Sequence, residues 1–343
     1  MSQGEWRESL AAAEEAVEIY AGLPGTTFSL GELARAYDTL SYAQLNCDLG
    51  DKAVETSRRA QALYRHLAEI EPDAFVPLLA VSCSNLAGIL LRGGNPMAAE
   101  AAGREAVESF SRLAASRTDA FLEPFLRALI SYGQSLCALH RYGEAQESLN
   151  RAMEMLKALQ VFGPTHRLIR AQAQDGLALT LAGQERFTEA IAAGERAVAE
   201  YTNLSLQDHG GTLPDLARCS TNLASFHLEA GEPSRSLQAL EEARGVYSLL
   251  REEAPDLFAE GLTGVLRSIA EVSMLVGDRR RAFRALWELL TLLGPERLQS
   301  LITGEALVEL ERRFVARVAS DCTEILSLLE VLRSCIDETG EEP

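Results

Sequence analysis

The sequence predicts an all-α protein built as a solenoid of antiparallel helix pairs, with a period of about 46 residues. Apolar residues recur with helical spacing before a short glycine turn, as Leu79, Cys83, Leu86 and Leu90 do before Gly94. Small and large residues also occupy matching positions in successive units. Finally, Gly and Pro fall between the apolar segments, where a helix must end.

A small residue early in the second helix of each unit marks the repeat most clearly. These anchor residues follow one another at intervals of 46, 46, 45, 46 and 46, at Ala53, Ala99, Ala145, Ala190, Ser236 and Ala282. Matching positions, here called columns, continue seven and eleven residues after each anchor and twelve residues before it. Small residues let two helices approach closely, and large neighbours fill the remaining volume. Four columns in register therefore predict six helix pairs.

The columns predict one solenoid over residues 1–343. It begins with a half unit at 5–22, where Ser9, Ala16 and Tyr20 match the second-helix columns. Six units follow, at about 28–70, 75–116, 121–160, 166–206, 213–253 and 258–294. A degraded capping pair ends the chain at about 303–338. Two explanations of the unpaired first helix stay open: a natural cap, or a piece cut from a longer protein.

The stretch "NLAGILLRGGNP" at 85–96 allows two interpretations. It could be a strand that feeds a phosphate-binding loop, or one helix that stops so that another can start. The repeat favours the second, because Gly231 and Pro233 stand at the same places in a later unit. The other glycine-rich stretch, "QDHGGTLPD" at 207–215, lacks the Lys-Ser/Thr of a phosphate loop.

Composition excludes several classes of partner and site. The formal net charge of −18 repels nucleic acid and anionic membranes, so neither is expected as a partner. Six dispersed cysteines and five histidines show no metal-ligand spacing, so no metal and no cofactor is expected. The N-terminus lacks the features of a secretory signal, and no uninterrupted apolar run reaches roughly 18 residues. A soluble, cytoplasmic protein is therefore expected.

The small and large residues of the first helix, the Gly turn, and Ala-x6-Ala followed by an aromatic residue resemble the tetratricopeptide repeat (TPR). The TPR period is about 34 residues, whereas the period here is 46. The longer form, with "NLA" in the first helix and "EEA" in the second, looks like the kinesin-light-chain type found in many bacterial signalling proteins. The resemblance implies a right-handed superhelix whose first helices line a concave groove, which binds an extended peptide or a partner helix.

Candidate groove residues are polar positions on the first helices. Arg35, Arg127 and Arg218 share one column in alternate units, and Asn85 and Asn222 share the column four residues on. Tyr42, Gln134 and Arg267 belong to adjoining columns, as Asp38 and Asp175 do. An Asn side chain can donate to and accept from a peptide backbone, and an Arg can grip a carboxylate. The alternative interpretation is a solvated helix face with incidental charges.

The sequence therefore predicts a protein- or peptide-binding scaffold with no catalytic residues. The alternative function is a regulatory sensor, in which the repeats inhibit an associated effector such as a protease or a signalling ATPase. An α-helical enzyme is the least favoured function, because the paired carboxylates are borne by the repeat and no titratable cluster converges.

Overall fold

The computed structural model describes residues 3–47, 49–114, 119–159, 163–208 and 210–302. Within these ranges the chain forms thirteen α-helices and no β-strand. The helices are α1 (Gln3–Ala21), α2 (Thr27–Asn46), α3 (Gly50–Ile70), α4 (Pro72–Arg92), α5 (Pro96–Ala114), α6 (Leu122–Ala138), α7 (Tyr142–Lys157), α8 (Pro164–Gly183), α9 (Phe187–Asp208), α10 (Leu213–Glu229), α11 (Pro233–Glu253), α12 (Pro255–Leu275) and α13 (Arg279–Ile302). Short 3₁₀ turns precede α6 and α10.

The chain divides into two compact units, Met1–Leu262 and Thr263–Pro343. In the first unit, α1 precedes five helix pairs that run from α2/α3 to α10/α11, and each helix packs on its neighbours in the chain. The first helices of successive pairs (α2, α4, α6, α8 and α10, here called the A helices) also contact one another. The predicted fold class, an all-α solenoid of helix pairs, is confirmed.

In the second unit, the described residues form the last part of α12 and all of α13. Val265, Leu266 and Ile269 of α12 are buried there, as are Ala282 and Ala285 of α13. The capping pair expected at about 303–338 lies outside the described residues, and a single solenoid over 1–343 stays a prediction.

The predicted columns are the places where helices touch. The anchors Ala53, Ala99, Ala145 and Ala190 are fully buried, and Ala60, Ala106, Ala152, Ala197 and Ala243 of the next column are equally buried. The column twelve residues before the anchors shows how little space remains between the two helices of a pair. At Gly133, where most units carry Ala or Ser, an added Cβ would lie 2.8 Å from Cγ of Leu149. The close approach of the helices in a pair therefore requires these small residues.

In four of the five helix pairs of the first unit, the turn between the helices contains one residue with a positive φ angle. In the first unit this residue is Gly94 (φ 72°), His140 (59°), Glu185 (61°) and Gly231 (77°) in four successive pairs. Glycine adopts this left-handed conformation without steric cost, so His140 and Glu185 hold it under strain. Because α4 ends at Arg92 and α5 begins at Pro96, the glycines at 93–94 form a turn between helices. The strand and phosphate-loop interpretation is wrong.

Helix α4 is long and apolar enough to cross a membrane by length and composition, and no other helix among the described residues meets that criterion. The sequence criterion of an uninterrupted apolar run does not select α4, because the polar residues Asp73, Ser82 and Asn85 interrupt its apolar sequence. In the first unit α4 packs on α3, α5 and α6, and it buries Phe75 and Leu86. Its apolar character thus contributes to the core of the solenoid.

The substitution Glu185→Gly is expected to raise the free energy of unfolding by about 0.5–1 kcal/mol, because it removes the strain of a left-handed residue. The matched control is Glu195→Gly, an exposed position in the interior of α9, which should lower it by about 1 kcal/mol. Urea unfolding followed by circular dichroism measures both changes. Two changes of the same sign would contradict the role of the turn.

Candidate functional site

The candidate site is the surface that the five A helices present together in the first unit, here called the A-helix face. Seven of the eight predicted site residues lie on it. Arg35, Tyr42, Asn85 and Arg127 are exposed, and Gln134, Arg218 and Asn222 are partly exposed. Arg267 is also exposed, but it belongs to the second unit. The structure therefore places seven candidates on adjoining helices and leaves Arg267 apart from them.

Polar contacts join neighbouring A helices across this face. The hydroxyl of Ser82 on α4 donates to Oδ1 of Asp38 on α2 at 2.8 Å. The hydroxyls of Ser84 on α4 and Ser131 on α6 lie 3.4 Å apart. Burial raises the pKa of Asp38 to about 7, although the hydrogen bond from Ser82 acts in the opposite direction. Asp38 is therefore a contact between helices and can carry a proton near neutral pH.

At the N-terminal end of the face, two candidates already have partners within the chain. The ring of Tyr42 packs edge-on against Trp6 of α1, with centroids 5.6 Å apart. The guanidinium of Arg35 lies 3.5 Å from Glu32, one turn earlier on the same helix. Both side chains remain largely exposed, so these contacts orient them without removing them from the surface.

Arg218 is held between two acidic residues. Its Nη1 lies 2.7 Å from Oδ2 of Asp175 on α8, and its Nη2 lies 3.1 Å from Oδ1 of Asp215 on α10. The side chain of Asp175 is only 1 % exposed, whereas that of Arg218 is 43 % exposed. Burial disfavours the charged guanidinium, but the two carboxylates outweigh it and raise the pKa of Arg218 above its ordinary value. Arg218 thus neutralises a buried carboxylate.

Arg127, in the same column as Arg218, has a different environment. It is exposed and makes no ion pair or hydrogen bond with any residue that the structure describes. Asn85 and Asn222 likewise keep their side-chain amides unpaired within the described ranges. These three side chains are free to meet a ligand, whereas Arg218 is already engaged inside the protein.

Sequence reasoning placed Asp175 among polar groove residues, but the structure buries it. Asp175 and Asp38 occupy the same column, and both turn toward the next A helix, where they meet Arg218 and Ser82. The sequence does show an acidic residue recurring at this column. That the residue contacts the next A helix becomes clear only from the packing of the helices.

The part of the chain that the structure describes has no group of three or more His, Cys, Asp or Glu side chains that could hold a metal ion. Cys47, Cys83, Cys137 and Cys219 are free thiols, and burial raises the pKa of Cys83 to about 12. Cys322 and Cys335 lie outside the described residues. The buried Cys83 and Cys219 are therefore packing residues.

Comparison with known families decides the class of repeat. A family model described as tetratricopeptide repeat matches residues 125–203, which include most of α6, all of α7 and α8, and most of α9. The chain therefore contains tetratricopeptide repeats in this segment. The TPR resemblance seen in the columns is confirmed. A role of this protein in bacterial signalling stays a prediction. No curated protein matches the sequence.

Solved structures share the TPR fold at low identity. The apo form of RapI is 13 % identical with a TM-score of 0.56, covering 92 % of this chain and 85 % of that one. BtubC (BKLC) from P. vanneervenii is 19 % identical with a TM-score of 0.53, covering 72 % and 92 %. A Rap protein complexed with competence and sporulation factor is 12 % identical with a TM-score of 0.50, covering 80 % and 77 %. These likenesses concern the fold.

The substitution Arg218→Ala is expected to lower the free energy of unfolding by about 2–4 kcal/mol. It leaves Asp175 buried without a counter-charge, and the partial exposure of Arg218 keeps the loss near the lower end of values for buried pairs. Arg127→Ala, in the same column but exposed, should change it by less than about 0.5 kcal/mol. Urea unfolding of both variants tests this, and equal losses would contradict the structural role of Arg218.

The pKa of Asp38 predicts a pH-dependent stability. Between pH values of about 4 and 7 the folded protein holds a proton on Asp38 that the unfolded chain has released, so stability falls as pH rises through this window. Asp38→Asn should remove that contribution, which makes the variant about 1–3 kcal/mol more stable relative to wild type at pH 8 than at pH 4. Urea unfolding at several pH values measures it. Asp73→Asn, at an exposed first-turn position of α4, is the control and should show a nearly constant difference.

Proposed function

We propose that this TPR protein is a cytoplasmic, non-catalytic scaffold whose A-helix face binds a linear segment of a partner protein. The observation that carries the proposal is a row of polar side chains on adjoining A helices that are exposed or partly exposed, while the packing columns beside them are buried. Within this row, Asn85, Arg127 and Asn222 have no partner among the described residues. Such groups suit a ligand that brings its own donors and acceptors.

The spacing of the two Asn residues favours an extended segment. Asn85 on α4 and Asn222 on α10 are separated by three steps between neighbouring A helices. Packed helices lie about 8–10 Å apart, so these steps span roughly 25–30 Å. An extended chain advances about 3.3 Å per residue, so a segment of roughly eight or nine residues could reach both side chains. A side-chain amide pairs with a peptide backbone whatever the sequence of that peptide.

Two further observations support a protein partner. A structural neighbour, a Rap protein, is complexed with competence and sporulation factor, which is an example of this fold holding a partner. The net charge of −18 disfavours nucleic acid and anionic membranes as partners.

The proposal is tested with the double variant Asn85→Ala/Asn222→Ala. Peptides selected from a random display library against the wild-type chain serve as probes, and fluorescence anisotropy gives their dissociation constants. Each lost hydrogen bond is worth about 0.5–1.5 kcal/mol, so the double variant should bind about fivefold or more weakly. Its circular dichroism spectrum and unfolding midpoint should stay close to those of wild type.

The matched control is Asn150→Ala/Asn203→Ala, two exposed Asn residues on the second helices α7 and α9. This control should bind the probes as tightly as wild type. Equal affinities for wild type and the Asn85/Asn222 variant, or an equal loss in the control, would overturn the assignment of the A-helix face. A library that yields no binder would overturn peptide binding itself.

A further inference from the structure

We propose that the part of the A-helix face at Asp175 and Asp215 binds a cationic side chain of the partner, an Arg guanidinium or a Lys ammonium. The inference rests on the proposed function, since it names the chemistry that one end of the same face selects. It also changes the role predicted for Arg218, whose column was expected to attract an anionic ligand.

The charge of this cluster is not balanced. Two carboxylates, Asp175 and Asp215, share the single guanidinium of Arg218, which leaves one negative charge uncompensated. The next guanidinium on α8, that of Arg170, is itself paired with Glu200 of α9. An anion approaching Arg218 would therefore meet a net negative cluster, whereas a cation would neutralise it.

The buried carboxylate of Asp175 has few donors. Its Oδ2 lies 2.7 Å from Nη1 of Arg218, the thiol of Cys219 is a weak donor beside it, and no other described residue bonds to either oxygen. Buried carboxylates are costly unless N–H or O–H groups donate to them. A guanidinium or ammonium that contacts the partly exposed Asp215 supplies such donors and the compensating charge, while Asp175 stays covered by Arg218.

A second buried group without a partner adjoins the cluster. The hydroxyl of Tyr201 on α9 is buried and unpaired within the described ranges. Burial raises the pKa of Tyr201, and the charges of Asp215 and Asp175 raise it further, so this phenol stays neutral beside the acids. Because Tyr201 is fully buried and neutral, it contributes no charge that would balance the two acids.

The cluster is open on one side. The side chains of Arg218 and Asp215 are partly exposed, so they separate Asp175 from solvent without enclosing the cluster. Asn222 stands one helical turn beyond Arg218 on α10 and points from the same face. A partner segment whose backbone is held by Asn222 could thus place a basic side chain against Asp215 and Arg218 and supply the missing charge.

The experiment uses Asp215→Asn, which leaves Asp175 and Arg218 as a balanced pair. Peptides selected on the wild-type chain are synthesised with each Arg as such and as its neutral isostere citrulline, and each Lys as such and as norleucine. Fluorescence anisotropy at about 150 mM salt, where long-range attraction is screened, gives their dissociation constants. Asp73→Asn, which removes a first-turn acid from another A helix, is the matched control.

The expected result has three parts. Neutralising one basic residue of the peptide weakens binding to wild type about tenfold or more. Asp215→Asn weakens the basic peptide to a similar degree and no longer distinguishes it from the neutral peptide. Asp73→Asn behaves as wild type. Asp175→Asn, which removes the buried acid while keeping its shape, should lose the distinction in the same way.

The proposal is overturned if the selected peptides lack basic residues, or if Asp215→Asn keeps the full preference for the basic peptide. It is also overturned if Asp73→Asn loses that preference equally, because the attraction would then come from the net charge of the chain. In each of these cases a peptide that still depends on Asn85 and Asn222 upholds the proposed function, so the two failures are distinguishable.

Discussion

The close contact of two helices through alanine columns is the constraint on which the rest of this structure depends. Ala99 and Ala106, with the equivalent alanines of the other pairs in the first unit, are fully buried because the two helix backbones approach too closely for larger side chains. That contact fixes the angle within a pair, and repetition of the pair brings the A helices side by side. The A-helix face forms because the units repeat the same packing. The geometry of the candidate site is therefore determined by buried packing residues rather than by the residues at its surface.

Polar residues on the A helices have two structural roles: some connect neighbouring helices, and others remain available at the surface. Asp38 and Asp175 join successive helices and are largely withdrawn from solvent. Asn85, Arg127 and Asn222 stay at the surface without internal partners. Residues that contact a neighbouring helix and residues without internal partners thus occupy neighbouring columns. A polar column in a repeat protein therefore does not by itself identify a binding surface. The distinction rests on whether a neighbouring helix offers a partner, as α10 offers Arg218 to Asp175.

Much of the fold could be predicted from the sequence because its determinants are local and repeated. Alanine spacing and glycine turns recur, so each unit confirms the others, and the turn at Gly94 could be assigned by comparison with Gly231. The environment of Arg218 could not be predicted, since it depends on a contact between residues 43 positions apart in two helices. Nor could the left-handed conformations of His140 and Glu185 be predicted from those residue types alone.

Glu185 and Asp175 have a joint consequence because both lie in the α8/α9 pair. In a linear array each unit interacts mainly with its nearest neighbours, so stability is close to a sum of unit terms and interface terms. A pair that contains both a strained turn and a buried acid whose counter-charge comes from the next pair has a smaller term than a pair without these two features. Local opening, as amide hydrogen exchange would record it, should then begin in the interior of the array at α8/α9 rather than spread only from its ends.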